Sequence, residues 1–578
     1  MSSLPAGGPL RGPVPAPEPT PGTYATVPGA HEAPPGPWES AHPAAAPAAG
    51  VPAQAGTSGG PDAAPRERGD DAAPRGLARA AGVTAALTVA GSVLGLVRDQ
   101  AVAHLFGAGA ESDAFLVAWT VPEVAATVLI EDAMALLMVP AFSAVLARGA
   151  GPRPLVRGTL PRLLAVLAVL TAGLAAGAPL LVRLLAPGLA DPATAVACTR
   201  LTALTVFTFG LTGYLSAALR AQRRFVPPAA IYVAYNVGIV ATLLALHGRY
   251  GVRAAAAGVA AGGVLMVLVQ LPAFLRGLGP RLPEPAAGGR RDALAFALVV
   301  PVVVFTLGRQ AQVLLERFFA APLAPGAISH LNYAQKVAQL PMVMSLMICT
   351  VTFPAVSRAL ALGDRERARR RVERDLTLAA VVVLLGAAYV AACAPAIVRV
   401  LFQRGEFGPA DTAATAAVMR VYALGLLGQS MVGALVRPYF SAARPTWYPA
   451  VSMAAGLLVT AVVDAAAARP FGACGIAAGN AAGITVTAVL LLHGIGARLR
   501  DGAAVRARSL APGLARIALA AAAATAAGWA LAAVAPGALC AVLLGGVAVP
   551  AVFAAVALAV RAPEIPSLIA TVTRKARS

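Results

Sequence analysis

Arg98 and Asp99 stand side by side inside an apolar run that begins at Gly91. Charge inside an apolar helix is costly and usually faces a cavity or a partner. The run breaks at Phe106-Gly107-Ala108-Gly109 and restarts at Asp113-Ala114-Phe115 as a second apolar stretch. Further polar residues punctuate apolar runs: Glu123, Glu131 and Asp132; Arg309, Gln310, Gln312, Glu316 and Arg317; Gln335, Lys336 and Gln339; Arg420; and Asp464. If the helices that carry them meet, they line a polar cavity, and its Arg and Lys side chains suit phosphate oxygens. Two plainer readings stand beside this one. Neighbours such as Glu316 and Arg317 could close internal ion pairs, and Arg98 with Asp99 could lie at a helix end within reach of interfacial water.

No catalytic constellation accompanies these residues. The chain has no nucleotide-binding glycine loop, no HExxH and no nucleophile with a paired base. The loops between apolar runs are too short to hold an ATPase domain, so a secondary transporter is expected rather than an enzyme or a pump. No cofactor is expected. The five cysteines, Cys198, Cys349, Cys393, Cys474 and Cys540, form no CxxC, so neither a disulfide framework nor a metal site is expected. They read as small buried hydrophobes.

The elements that must position the polar residues are membrane helices. The chain is 578 residues long, 58% hydrophobic and 12% charged. Its apolar residues come in blocks of about twenty, the length that crosses a bilayer. The net charge of +20 does not point to nucleic acid, because the arginines sit in short clusters between the blocks. Fourteen blocks are predicted between residues 80 and 560, the seventh at 292–319 and the eighth at 328–358. Arginine-rich gaps alternate with lean ones, the richest running from Arg358 to Arg374. This alternation predicts that both termini are cytoplasmic. Residues 1–75, rich in Pro, Ala and Gly, are predicted to be a disordered tail.

The chain also repeats. Pro140-Ala141-Phe142-Ser143 recurs as Pro354-Ala355-Val356-Ser357, and Ala178-Pro179 with Val182-Arg183 recurs as Ala394-Pro395 with Val398-Arg399. The near-equal offsets predict two parallel six-helix halves, a transporter architecture. The expected organisation is a lobe at 76–290, a second lobe at 291–510, an extra helix pair at 511–565 and a basic cytoplasmic tail at 566–578. The fold class is an all-α polytopic membrane protein.

The stretch LGLVRDQAVAHLFGAGAESDAFLVAWTVP resembles the first signature of the MurJ/MviN lipid II flippases, within the multidrug/oligosaccharidyl-lipid/polysaccharide exporter superfamily. Asn332-Tyr333-Ala334-Gln335-Lys336 with Leu340-Pro341 is similar to the family's eighth-span motif, and Phe402-Gln403-Arg404-Gly405-Glu406-Phe407 to its FxxGxF turn. The resemblance implies outward movement of an undecaprenyl-pyrophosphate-linked peptidoglycan precursor by alternating access. It implies a lipid-linked saccharide pyrophosphate as substrate, membrane lipids as surroundings, cell-wall synthesis proteins as candidate partners, and a lipid-tail groove on the last helix pair. Arg98 and Asp113 match essential family positions, Glu131 an acidic one, and Lys336 stands where the family has an arginine. Family arginines are absent at Ser92 and about Ala126, and Gln335 and Gln339 replace usual acids. With the polar residues above, this nominates Arg98, Asp113, Lys336, Glu131 and Arg309 for substrate binding. Asp99, Glu316, Arg317 and Asp464 are nominated for ion coupling or gating. The lost arginines leave open an exporter of another polyprenyl-linked glycan, an ion-coupled drug exporter, or a scaffold in cell-wall assembly.

Overall fold

The computed structural model describes residues 72–149, 151–279, 292–345, 365–440, 446–498 and 507–560. The secondary structure of these residues is helical, with no strand among them. The helices are α1 (Ala72–Phe106), α2 (Ala110–Ala125), α3 (Met134–Ala147), α4 (Arg153–Ala176), α5 (Ala178–Leu185), α6 (Pro192–Ala221), α7 (Val226–Tyr250) and α8 (Arg253–Gly277). They continue as α9 (Asp292–Ala320), α10 (Ala327–Ala338), α11 (Arg365–Phe402), α12 (Pro409–Phe440), α13 (Tyr448–Phe471), α14 (Ala473–Arg498), α15 (Ala507–Val534) and α16 (Ala538–Ala559). Among the described residues, 12 helices are long and apolar enough to cross a membrane. The seventh and eighth predicted blocks are the two outside that set; α9 covers the seventh, and the eighth runs past the described residues. Residues 1–71 of the predicted tail, the basic tail at 566–578, Cys349 and the Pro354 copy of the first repeat also lie outside the described residues.

Turn chemistry sets the helix ends. Asp191 caps α6 by accepting the Thr194 N–H at 3.0 Å, with Pro192 in the first turn. The α7–α8 and α13–α14 connections turn through Gly251 and Gly472 with nearly the same angles, φ 54° and 58° with ψ −140° at both. The two helix groups thus share this turn. The repeat motif at Ala178-Pro179 and Ala394-Pro395 differs between its copies. Gly177 breaks the chain between α4 and α5, so the third predicted block, at 160–186, is two helices with Pro179 at the start of the second, whereas the matching Pro395 lies inside continuous α11. Helix α1 begins at Ala72, a few residues inside the predicted tail.

Helices α1 to α8 pack mainly on one another, as do α9 to α14, and α15 and α16 lie against α11. Large apolar residues such as Val169, Leu424 and Val547 point outward, as a lipid-facing surface requires. Cys198 and Cys393 are buried as expected, but Cys540 is exposed on this apolar surface and Cys474 only half-buried. Helix α2 runs into a π-helical stretch, Ala126–Ala133, which packs on α6 before α3 resumes.

The two helix groups meet at the end where α1 and α11 finish. The Gly107 turn, at φ 60°, lies against the Gly405 turn, also at φ 60°. A Cβ on Gly107 would fall 2.7 Å from the Glu406 carbonyl oxygen, so only glycine allows the approach. The Glu406 N–H donates to the His104 carbonyl at 3.0 Å. The family-like FGAG and FxxGxF turns are therefore one contact.

Candidate functional site

The charged residues of α1 and α10 form one cluster between the helix groups. Asp99 Oδ1 accepts from Arg98 Nε at 3.0 Å and from Arg98 Nη2 at 2.7 Å. Its other oxygen lies 3.1 Å from Lys336 Nζ. Arg98 Nη1 donates to Asn236 Oδ1 on α7 at 3.0 Å, and Asn236 is itself fixed by the Gly91 and Tyr232 carbonyls. Trp119 of α2 forms the floor: the Arg98 guanidinium is 4.3 Å and the Lys336 ammonium 5.5 Å from its ring centroid. Two cations thus share one carboxylate and one aromatic face. Lys336 retains partial exposure, with 29% of its side chain accessible. It is nine residues into α10, roughly 14 Å from the closed turns at helical rise.

Asp113 joins α2 to α10. It accepts the Gly326 N–H at 2.7 Å on one oxygen, and the Ser329 N–H at 2.8 Å and hydroxyl at 2.6 Å on the other. It is buried and acts as a cap for α10 supplied from α2. Both of its oxygens are taken up by protein donors, so it closes a contact between α2 and α10.

A second crossing lies further along α2. Arg317 Nη2 sits 3.1 Å from Glu123 Oε2, and Nη1 donates to the Leu116 carbonyl. The anticipated Glu316–Arg317 pair does not form. Glu316 turns into its own helix group, accepting from the Tyr422 hydroxyl on α12 at 3.0 Å and from Asn480 Nδ2 on α14. Asp464 is fully buried against Gly479 of α14, next to Asn480, and neither of its oxygens has a hydrogen-bond partner among the described residues. No group of three His, Cys, Asp or Glu suited to a metal ion occurs among the described residues.

Arg309 is not part of the Lys336 cluster. It lines a polar cavity of about 240 Å³ with Glu123, Gln312, Gln335, Gln339, Gln429 and Asn480. Glu131 stands apart from both, in the π-helical stretch, accepting from the Tyr232 hydroxyl at 3.0 Å. An apolar cavity of about 460 Å³ lies between α10, α11 and α16, lined by Leu340, Pro341, Tyr389, Ile397, Val542 and Pro550 among others.

Residues 102–547 match the family model described as lipid II flippase MurJ. The chain belongs to the MurJ family. A probable lipid II flippase MurJ of Rhizobium meliloti (strain 1021) is 27% identical over 421 residues, 70% of this chain and 78% of the relative. The lipid II flippase MurJ of Burkholderia cenocepacia is 27% identical over 436 residues, 72% of this chain and 84% of the relative. Among solved structures, a lipid II flippase MurJ in an inward closed conformation superposes with a TM-score of 0.65 at 17% identity, covering 84% of this chain and 99% of the other. An inward-facing multidrug transporter of the MATE family superposes with a TM-score of 0.58 at 14% identity over 73% of this chain and 98% of the other. The fold is therefore that of the MurJ family, and the protein is a multi-pass membrane protein.

Several residues of the site escaped the sequence reading. Trp119 carries no polar signal in an apolar run. Asn236, Gln429 and Asn480 do, being amides inside apolar blocks, and could have been found by the criterion applied to Gln335.

Proposed function

We propose that this chain moves lipid II, a polyprenyl-pyrophosphate-linked saccharide, across the cytoplasmic membrane from the inner to the outer face. The observation that carries the reading is the Arg98–Asp99–Lys336 cluster over Trp119, set between the two helix groups. A pyrophosphate offers the same oxygen acceptors as Asp99, with more charge. It would replace Asp99 as the partner of both cations, and the two helix groups would then be joined through the substrate instead of through the protein. Asp99 thus offsets one of the two positive charges while the site is empty, leaving a net positive cluster for an anion.

The arginine-rich loops support an orientation with both termini cytoplasmic. The closed turns at Gly107 and Gly405 would then face outward, and the cluster would be reached from inside. Release would need the Asp113 cap and the Glu406–His104 contact to open. Glu316 and Asp464, buried without an ion pair among the described residues, suit binding of a proton or monovalent cation that drives this step. The apolar cavity on α11 and α16 suits a polyprenyl tail.

The test is complementation of a flippase-depleted cell, paired with lipid II flipping in proteoliposomes. Growth rescue and flipping are expected. Correct insertion with neither would favour a scaffold role. Reporter fusions after residues 150, 225 and 285 should read cytoplasmic.

A further inference from the structure

The cavity beside the charged cluster is built from carboxamides. Gln312, Gln335, Gln339, Gln429 and Asn480 line it with Gln310, supplied by four different helices. Some of these amides are committed to the protein: Asn480 holds Glu316, and Gln429 donates to Asn480 Oδ1 at 3.3 Å. The side-chain amides of Gln310, Gln335 and Gln339 make no protein hydrogen bond among the described residues. Each amide offers donors and an acceptor, which match hydroxyl and amide groups rather than charge.

The charge balance of the lining is equally spare. Its charged residues are Glu123 and Arg309. Glu123 is already paired with Arg317, while Arg309 has no ion pair among the described residues. The lining therefore offers a ligand one free cation. A carboxylate brought into such a cavity without a cation loses its hydration and gains nothing of equal strength. An amide in its place can exchange hydrogen bonds with the glutamines at little cost.

We propose that this cavity receives a segment of the headgroup's peptide, and that it selects a peptide whose carboxylates are amidated, leaving no more than one for Arg309. The assignment rests on the lipid II reading above, with pyrophosphate at Arg98 and Lys336. Selection comes from the glutamine lining, and so it is separable from pyrophosphate binding.

The experiment uses the full chain in proteoliposomes and three probes: lipid II with an amidated peptide stem, lipid II with the free-acid stem, and undecaprenyl pyrophosphate alone. Binding and flipping should favour the amidated form by about tenfold, the effect of one poorly compensated buried group. Gln339→Lys should narrow the ratio and Gln339→Glu widen it, opposite shifts that misfolding cannot produce. Equal handling of the two forms by the wild type, or an unchanged ratio in both variants, overturns the selection while leaving the flippase reading intact. Failure to bind either form, with or without binding of undecaprenyl pyrophosphate, overturns the headgroup assignment and the lipid II reading together.

Discussion

Glu316 and Arg317 are consecutive on α9 and face opposite ways. Glu316 is buried among Tyr422 and Asn480, while Arg317 reaches across to Glu123 and the Leu116 carbonyl on α2. One helix turn therefore joins a buried carboxylate to a bridge between the helix groups. A change of charge at Glu316 would act on that bridge through a rigid element.

The bridge should show an asymmetric response to substitution. Arg317 is 5% exposed and Glu123 34% exposed on their side chains. Glu123→Gln leaves a buried guanidinium without a counter-charge, whereas Arg317→Gln leaves a carboxylate that water can reach. Thermal unfolding in detergent should show Glu123→Gln the less stable, by about 2 kcal/mol, with the double variant recovering part of the loss. Equal losses would mean that the pair adds nothing beyond its separate hydrogen bonds.

Lys336 is the lysine within the apolar part of a chain that otherwise uses arginine there. If it binds pyrophosphate with Arg98, Lys336→Met should abolish flipping in a folded, inserted protein. Loss of one charge-assisted contact in a cavity costs about 2–4 kcal/mol, roughly thirty- to a thousandfold in affinity. Lys336→Arg should retain activity, since Asp99 and Trp119 accept a guanidinium as readily as they do that of Arg98. Full flipping by the methionine variant at matched expression would remove Lys336 from the site.

The membrane helices and the cationic pair were legible because bilayer length and isolated charge leave strong marks on a sequence. Partnership was not. Adjacent positions on a helix do not face each other, so the spacing of Glu316 and Arg317 says that they diverge, but which partners each meets depends on the helical phase of α9 against α2 and α14. Asp113 was nominated because it matches an essential family position, and its contacts were not legible. Its three donors come from Gly326 and Ser329, more than two hundred residues away. Trp119 and Asn236 owe their roles to the packing of α2 and α7 around α1, which only tertiary structure reveals.

The paired glycine turns predict a steric test of closure. Gly107→Val places a side chain on the Glu406 backbone in a conformation that β-branched residues avoid. The turns should separate, and the end of the molecule that they seal should open. In a background lacking native cysteines, Ser329→Cys should react with a membrane-impermeant thiol reagent faster when Gly107→Val is also present. Unchanged labelling would show that the seal does not depend on this contact.

Asp113 and Ser329 allow the capping and ligand roles to be told apart. Both carboxylate oxygens of Asp113 are acceptors for α10. Asp113→Asn keeps one acceptor and turns an amide N–H toward a backbone N–H, so it should be nearly as damaging as Asp113→Ala. Loss of such a cap costs about 0.5–2 kcal/mol, which is enough to shift a closed state that competes with an open one. Ser329→Ala removes the hydroxyl and leaves both backbone donors in place, so its effect should be in the same direction and smaller. Under the capping role, undecaprenyl pyrophosphate binding in detergent stays near wild type in all three variants, while flipping falls in the order Ser329→Ala, then Asp113→Asn and Asp113→Ala. A tenfold or greater loss of binding in Asp113→Asn, with Ser329→Ala unaffected, would instead place the carboxylate on the substrate.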